Sequence, residues 1–331
     1  MKRATIMDVA RQAGVSISTV SNALNNVPVV TAATKAKVMQ AVADLHYVPN
    51  MMGKQLRSGR SHMIAFCTDS ISGPYFYTLL DALANAAQSF GYSLTMIMTQ
   101  DHDALMKGLL GNAFDGAIIL DRQIDDADMQ QIDGHQFPAV MLDRVISAPR
   151  MSSLVFDSFQ AGKTMAAHLL RLGHRHLAYI AGHTDNRDSR ERQAGIKQAL
   201  KEAGVSPESV VVLSGLFEES TSYHAVRHYL VHRPTDRVTA MIGGNDVSAI
   251  GAIKAWQDAG YQVPRDCSVV GFDDIEIARY FQPALTTMRN PIAEQGQQAV
   301  NMLLHLMNNE ETGEKGILTG QLIERDSDRA I

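Results

Sequence analysis

Apolar residues near the start of the chain recur at helical spacing in two short segments. The first, Ile6–Ala13, has apolar or small residues at positions i, i+3, i+4 and i+7, the spacing of one helix face. Gly14 interrupts the pattern, and a second segment of the same kind spans Ile17–Leu24. Two helices joined by a short turn that contains glycine form a helix-turn-helix. The pattern predicts this motif, with Ser16 as the N-cap of its second helix.

A third helix is predicted after this pair. Thr31 or Thr34 is a suitable N-cap, and Val38, Val42 and Leu45 would form its inner face. Pro49 ends the helix, because the residue before a proline is pushed out of the α region.

From Ser61 onward, short apolar strands alternate with amphipathic helices, which predicts a doubly wound α/β body with parallel strands. Its length of about 270 residues suits two lobes. Helices are predicted over Tyr77–Phe90, Gln160–Leu172, Arg190–Ala203 and Ala249–Ala259. The predicted buried strands are MIAFCT, YSLTMIM, DGAIIL, AVMLD, LAYIAG, TAMIGG and SVVGFDD. Ligands of such sheets bind outside the carboxyl ends of the strands, here in a cleft between lobes.

Composition narrows the class of protein. The chain has 331 residues, of which 45% are hydrophobic and 20% charged, as expected of a packed globular protein. Two cysteines are too few to staple a secreted protein of this size, so we expect a reducing, cytoplasmic location. The charged N-terminus has no apolar signal region, and no apolar run reaches 18 residues, so neither a signal peptide nor a membrane span is expected.

Charge is distributed unevenly along the chain. The first 60 residues carry eight Lys and Arg against two Asp, a net charge of +6. The remainder carries 22 basic and 33 acidic residues. A basic head on an acidic body indicates a polyanion-binding module, although an ordinary basic surface patch is the alternative.

The motif DVARQAGVSISTVSNALN, followed by VTAATKAKVMQAVADLHYVPN, resembles the head of the LacI–GalR family of bacterial repressors. The resemblance implies a small all-α helix-turn-helix DNA-binding domain (1–49), a hinge helix or linker (50–60) and a two-lobed, periplasmic-binding-protein-like body (61–331). It implies a homodimeric transcriptional regulator, a repressor, that binds double-stranded operator DNA. A small effector, a sugar or a nucleoside and most simply a sugar, would control operator affinity allosterically. No cofactor, metal or membrane partner is expected.

The second helix of the motif would lie in the major groove with its first residues facing the bases. By position, Ile17, Ser18 and Asn22 are the predicted base readers. Short polar side chains suited to phosphates complete the predicted interface: Thr5, Ser16, Thr19, Ser21 and Asn25. Many family members carry Arg where this chain has Asn22. Asparagine pairs with adenine rather than guanine, so we expect an A·T pair opposite Asn22, unless this side chain contacts only a phosphate or water.

The resemblance makes the segment after Pro49 a hinge helix. It would contact DNA at Asn50 and insert Leu56 as a wedge into the minor groove. The segment is shorter than the roughly 12–15 residues that an isolated helix needs in water. We therefore expect it to become helical only on DNA, with a plain linker as the alternative.

In the body, resemblance to sugar-binding members gives a set of candidate effector contacts near strand ends: Tyr75, Phe76, Asp121, Asp143, Phe156, Arg192, Phe217, Asn245 and Asp273. Arg192 and Asp273 can make paired hydrogen bonds to adjacent hydroxyls, and the phenylalanines offer flat walls to a sugar ring. The alternatives are core positions for the aromatics, a helix cap for Asp273 and a surface position for Arg192.

Two further functional hypotheses, a purine-responsive regulator and an enzyme, are disfavoured. The base-recognising residues of the purine-responsive branch align with Asn186 and Asp188, and an acidic Asp188 disfavours phosphorylated ligands. An enzyme is not indicated. Gly162-Lys163-Thr164 lacks the upstream glycine of a phosphate loop. His168, His174, His176 and His183 lack paired metal-ligand spacing and are expected at the surface.

An alternative functional class is a transport-type solute-binding protein. The body alone would fit this class, but the basic head argues against it. For the oligomeric state we expect a dimer rather than a tetramer, because no heptad segment follows GILTGQLI. The helices Tyr77–Phe90 and Ala249–Ala259 are the expected contact surfaces of that dimer.

Overall fold

The computed structural model describes residues 4–48, 59–146, 148–232, 238–308 and 312–331. The chain divides into two compact units, Met1–Ser61 and His62–Ile331. We call them the head and the body and describe each by itself.

The described part of the head contains three helices: α1 (Ile6–Ala13), α2 (Ile17–Leu24) and α3 (Ala32–Asp44). Each begins at a hydroxyl side chain that accepts a hydrogen bond from the first turn, at Thr5, Ser16 and Thr31. Gly14 ends α1 with φ of 66°, a conformation that costs glycine little. The helix-turn-helix is therefore confirmed, and Thr31 rather than Thr34 caps the third helix.

A small core holds the three helices of the head together. Its buried members come from all three helices: Val9, Ala10, Val20, Ala23, Val38 and Ala41. Val42 and Leu45 are partly buried against them. The small side chains allow the helices to approach closely.

In the body, the first lobe is built on a sheet with strand order β11-β5-β4-β3-β1-β2. Its strands are β1 (Met63–Thr68), β2 (Ser93–Ile97), β3 (Gly116–Leu120), β4 (Ala139–Met141), β5 (Met151–Phe156) and β11 (Lys315–Leu318). Every neighbouring pair is parallel. The helices of this lobe are α4 (Pro74–Ser89), α5 (His102–Leu110), α6 (Asp126–Gly134) and α11 (Ile292–Met307).

The second lobe has the strand order β12-β10-β9-β8-β6-β7. Its strands are β6 (Leu177–Ala181), β7 (Val211–Ser214), β8 (Ala240–Gly243), β9 (Ser268–Asp273), β10 (Thr286–Arg289) and β12 (Gln321–Ile323), the last antiparallel to β10. Its helices are α7 (Ser158–Arg171), α8 (Arg187–Glu202), α9 (Glu219–Val231) and α10 (Asp246–Asp258). Two 3₁₀ helices, Pro207–Ser209 and Glu276–Arg279, complete it.

The chain passes between the two sheets at three places: from β5 to α7, from β10 to α11 and from β11 to β12. Two of these crossings are hydrogen-bonded to each other, because the amide of Asp157 donates to the carbonyl of Leu318 (2.8 Å). Crossings of this kind can act as a hinge between lobes. The predicted two-lobed α/β architecture is confirmed, and the carboxyl ends of strands from both lobes carry the candidate effector residues.

The expectation of surface histidines was wrong for two of the four. His168 and His174 are buried, and their rings are hydrogen-bonded to the C-terminal segment, at Asp328 (2.6 Å) and at the carbonyl of Arg329 (3.0 Å). Buried polar groups need such partners, and here the partners lie about 160 positions away in sequence. Across the ranges that the structure describes, no helix combines the length and apolarity needed to cross a bilayer.

Candidate functional site

The start of α2 presents a cluster of hydroxyl groups. The Ser16 hydroxyl accepts a hydrogen bond from the Thr19 amide (3.1 Å), and it also contacts the hydroxyls of Ser18 (2.7 Å) and Thr19 (2.8 Å). Ser16 and Ser18 are exposed, and Thr19 is half-buried. Because the unpaired amides and the dipole at a helix N-terminus favour anions, this cluster has the chemistry of a phosphate contact.

Two of the predicted base readers lie on the first turn of α2. Ile17 is an exposed apolar residue (44%) and Ser18 is exposed beside it. Asn22, one turn later, is half-buried. An exposed aliphatic side chain at the start of a recognition helix is suited to the methyl group of thymine.

The remaining predicted DNA contacts have different surroundings. Thr5 forms a capping box with Asp8, whose carboxylate accepts from the Thr5 hydroxyl (2.7 Å) and amide (3.0 Å). Ser21 is buried (7%), so the structure does not place it at the surface. Asn25 is exposed and donates to the Ser21 carbonyl (2.8 Å). Asn50 and Leu56 lie outside the described residues, as does the predicted hinge around them.

Among the candidate effector contacts, Arg192 lies on the second turn of α8. Its side chain is only 4% exposed, so it is not the surface residue that the charged run around it allows. The guanidinium lies 4.6 Å from the ring centroid of Phe272 and 5.9 Å from that of Phe156, and it donates to the carbonyl of Gly244. Its Nε has no hydrogen-bond partner among the described residues. Most buried polar groups have a hydrogen-bond partner, so this donor is available to a group that enters the site.

Two glycines let α7 and α8 approach closely enough to place Arg192. A Cβ at Gly162 would lie 2.2 Å from the carbonyl oxygen of Arg192, and one at Gly195 would lie 2.0 Å from that of Phe159. Only glycine fits at such backbone contacts. Gly162, considered above as part of a phosphate loop, is thus a helix-packing residue inside α7.

Asp273 lies at the carboxyl end of β9, buried at 8% exposure. Burial raises its pKa from 3.8 to about 6, against the opposing effects of Arg192 and a hydrogen bond from Asn290, and with a further rise from Asp188. Its φ of 110° is unusual for a residue with a side chain. The next 3₁₀ helix is capped at Ile275 rather than by this carboxylate, so Asp273 is not a helix cap.

Tyr75, another candidate effector contact, lies on the first turn of α4 in the first lobe. Its hydroxyl donates to Oε1 of the buried Gln295 (3.0 Å). Burial raises the pKa of Tyr75, and the charges of Asp188 and Asp273 add to this effect. The tyrosine therefore shares an electrostatic environment with carboxylates of the second lobe. Phe76 packs edge-on against the Tyr75 ring at 5.4 Å.

Two other carboxylates follow strands of the first lobe. Asp121 is fully buried, its Oδ1 accepts from the Gln123 amide (2.9 Å), and its Oδ2 has no partner among the described residues. Burial raises the pKa of Asp121. Asp143 is paired with the guanidinium of Arg144 through both oxygens (3.0 and 2.6 Å). The structure thus neutralises Asp143 and leaves Asp121 half-satisfied.

Phe217 and Asn245 form a separate pair on the second lobe. Asn245 caps α10 by accepting from the Ser248 amide (2.9 Å), and it donates to the carbonyl of Phe217 (3.2 Å). The Phe217 ring rests on glycine backbone, because a Cβ at Gly182 would lie 2.1 Å from it and one at Gly244 would lie 3.1 Å from it. Asn245 therefore positions the ring, and Gly244 joins this pair to Arg192.

Three side chains that contact these candidate residues were not predicted from the sequence: Phe272, Asn290 and Gln295. Phe272 precedes Asp273 and lies against Arg192, Asn290 directly follows β10, and Gln295 lies on the first turn of α11. A strand prediction over Thr286–Arg289 would have placed Asn290 at a strand end. The two residues that align with the purine-responsive branch both make hydrogen bonds in the body. Asn186 caps α8, and Asp188 accepts from the Ser158 hydroxyl (2.9 Å).

Comparison with known families assigns both units. Residues 5–50 match the family described as bacterial regulatory proteins, lacI family. Residues 166–327 match the periplasmic binding protein-like domain.

Individual relatives extend this match over nearly the whole chain. The HTH-type transcriptional repressor PurR of Erwinia tasmaniensis is 33% identical over 333 residues, covering 98% of this chain and 96% of the relative. The lac repressor dimer bound to operator and the anti-inducer ONPF superimposes with a TM-score of 0.85 at 29% identity, covering 99% of this chain and 100% of that chain. The complex of the transcriptional regulator CelR with cellobiose gives a TM-score of 0.72 at 26% identity, with coverages of 98% and 100%.

Proposed function

Because this chain belongs to the LacI family of bacterial regulatory proteins, we propose that it is a homodimeric repressor whose affinity for operator DNA is set by a sugar bound in its body. The family membership supplies the DNA-binding head and the ligand-binding body. The identity of the ligand, the dimer and the residues that contact DNA and ligand are the proposal.

The observation that carries the ligand proposal is the environment of Arg192. Its guanidinium is buried between the Phe156 and Phe272 rings, keeps an unused Nε donor and lies in the field of Asp273. Leaving a buried donor unsatisfied costs about 1–3 kcal/mol. A ligand with adjacent hydroxyls would accept from Arg192 and donate to Asp273, while its C–H face packs on an aromatic ring. A sugar has this combination of groups.

The charge of the site argues against an anionic ligand. Asp188 and Asp273 raise the pKa of Tyr75, and Arg192 opposes them. The nearby Arg144 is already occupied by Asp143. Transfer of a phosphate into this environment would place it near the carboxylates of Asp188 and Asp273, which outnumber the guanidinium of Arg192, so we propose an uncharged ligand.

A purine or nucleoside is the second candidate, and it rests on a different observation. PurR repressors are similar to this chain over almost its full length. A flat base would stack on the half-buried ring of Phe217. The hydroxyl-matching pair of Arg192 and Asp273 serves a ribose as well as a pyranose, so the two candidates differ mainly in which residues the base would contact.

A thermal-shift panel of sugars, nucleosides and purine bases tests the ligand proposal, because a ligand that binds the native state raises its stability by about 2.7 kcal/mol at 100 times Kd. We expect a sugar to raise the unfolding temperature of the wild type and to have no effect on Arg192→Gln. Arg190→Gln, the same change at an exposed arginine of the same helix, is the matched control and should respond as the wild type does. A response to sugar that survives Arg192→Gln would reject the proposed site, and a response only to purines would favour the second candidate.

Removal of residues 1–60 tests whether the head binds DNA and the body binds the ligand. The truncated body should keep its ligand response and lose retention on operator DNA. A transport-type solute-binding protein would show no operator binding in either form, and equal DNA binding by the truncated body would contradict the assignment of DNA recognition to the head.

A further inference from the structure

Helix α9 and its C-cap residue carry three histidines at spacing i, i+4 and i+8 that the proposed function does not use. His224, His228 and His232 are all exposed. The opposite face of the helix is buried in the second lobe through Val226, Tyr229 and Leu230, among others. Residues four apart lie on one side of a helix, one turn above the other. The histidines therefore form a continuous stripe on the outside of the body.

The last two members of the stripe are already in contact. The rings of His228 and His232 are stacked with centroids 4.2 Å apart and planes 29° from parallel. Histidine nitrogens bind zinc at about 2.0–2.1 Å. Two nitrogens that share one ion are therefore separated by no more than about twice that length, which side chains one helical turn apart can reach. Each nitrogen lone pair lies in the plane of its ring, so the two nearly parallel rings turn out of their stack when they bind a single ion.

One hydrogen bond fixes the form of His232 that a metal requires. Its Nδ1 lies 3.0 Å from the carbonyl oxygen of His228. A carbonyl oxygen only accepts, so Nδ1 carries the proton, and in the neutral ring Nε2 then keeps its lone pair. Metal-binding histidines typically donate their other N–H to a carbonyl or carboxylate in this way, which fixes both the tautomer and the orientation of the ring.

The first histidine of the stripe has different surroundings. His224 packs edge-on against Tyr223, with centroids 5.3 Å apart. Within the described residues no group of three or more histidine, cysteine or acidic side chains is arranged around a common point. The arrangement is therefore that of a two-histidine chelate, in which water completes the coordination.

We propose that His228 and His232 form a surface binding site for a borderline transition-metal ion such as Zn²⁺, Ni²⁺ or Cu²⁺. Imidazole nitrogens suit these ions, whereas Mg²⁺ and Ca²⁺ take oxygen ligands. The bound ion links two successive turns at the end of α9 and stabilises that end of the helix.

The test is calorimetric titration of the full-length protein with Zn²⁺ and Ni²⁺, and with Mg²⁺ as the hard-cation comparison. We expect one equivalent of Zn²⁺ or Ni²⁺ to bind and Mg²⁺ not to bind. Changes outside the ligand shell already cost about 10–100-fold in metal affinity. His228→Gln and His232→Gln, each of which removes a ligand, should therefore weaken binding at least about tenfold.

His135 offers a matched control. Its Nδ1 makes the same bond to a carbonyl one turn back, that of Gln131 (2.8 Å), but no histidine lies at position 131 or 139. His135→Gln should leave the titration unchanged, and unaltered urea unfolding of all variants shows that the exposed changes do not disturb the fold. Absence of wild-type binding, or equal binding by the His228→Gln/His232→Gln double variant, would overturn the proposal. Weakening by His135→Gln as strong as that by His232→Gln would also overturn it, because binding would then follow single histidines.

Discussion

Replacing Asp273 by asparagine should stabilise the protein at neutral pH while abolishing its response to ligand. The carboxyl group is buried, and its pKa is raised from 3.8 to about 6. A difference of this size between the folded and unfolded protein corresponds to about 3 kcal/mol. Because the folded protein binds the proton more tightly, protonation of Asp273 stabilises it fully below pH 4. That contribution to stability decreases as the pH rises through the folded pKa of about 6, and it is absent at higher pH.

Asparagine has nearly the shape of aspartate and is among the residues that tolerate a positive φ, which position 273 requires at 110°. The Asp273→Asn variant has no titrating group, so it lacks this part of the pH dependence. At pH near 7.5 we expect it to be more stable than the wild type by about 1–3 kcal/mol, the upper value being the full linkage effect. The same substitution removes a charged hydrogen-bond acceptor from the proposed ligand site. The gain in stability would therefore come with a loss of ligand binding, a common compromise between stability and function.

Urea unfolding from about pH 4 to about pH 8 measures the free energy of unfolding of the wild type and the variant. Both are measured at one protein concentration, because the stability of a dimer depends on its concentration. The chain's one tryptophan, Trp256, is fully buried in the second lobe and reports on its unfolding. Asp274 provides a neighbouring comparison of opposite sign. It bonds to Arg289 (2.8 Å) and Arg325, so Asp274→Asn should destabilise by about 3 kcal/mol or more. The reasoning fails if Asp273→Asn also destabilises at pH 7.5 and keeps the acid-side slope of the wild type.

Three further predictions concern the head, the helix contact behind Arg192 and the C-terminal segment. Asn22→Arg should move the preferred base pair opposite position 22 from A·T to G·C, by about 1–3 kcal/mol in competition binding; an unchanged preference means that this side chain reads no base. Gly195→Ala places a Cβ 2.0 Å from a backbone oxygen of α7 and should cost about 1–3 kcal/mol in urea unfolding, whereas Gly134→Ala meets no atom within 4 Å and should not. Asp328→Asn weakens the 2.6 Å contact to buried His168 and should destabilise by about 1–3 kcal/mol, and wild-type stability would show that this contact is dispensable.

The alternation of apolar and polar residues was enough to predict the head and seven of the twelve described strands of the body, and it missed β5, β7, β10, β11 and β12. It also contained information about Arg192 that the charged run around it obscured. The buried residues of α8 include Arg192, Gly195, Ile196 and Ala199, which follow helical spacing. Arg192 thus belongs to the apolar stripe of its helix, and the neighbouring Arg190 does not. Helix register, rather than local charge density, separates the buried arginine from the exposed one.

Contacts between distant parts of the chain could not be predicted in this way. His168 lies on the buried side of α7, but its partner Asp328 comes from the last residues of the chain. The short strand β11 completes the first sheet by pairing with β5, about 160 residues away. A local pattern contains no information about such partners, because their proximity results from the folding of both lobes. The hydrogen bond between Tyr75 and Gln295 belongs to the same class.

The central claim is that a ligand bound around Arg192 controls the affinity of the head for operator DNA. The most direct measurement is the affinity of the full-length protein for an operator obtained by in-vitro selection, at fixed salt, with and without a saturating sugar found in the thermal-shift panel. A coupling of about 1–3 kcal/mol predicts a 5–150-fold change in wild-type affinity and none in Arg192→Gln. Equal operator affinity of the wild type in the presence and absence of a ligand that demonstrably fills the cleft would contradict the account.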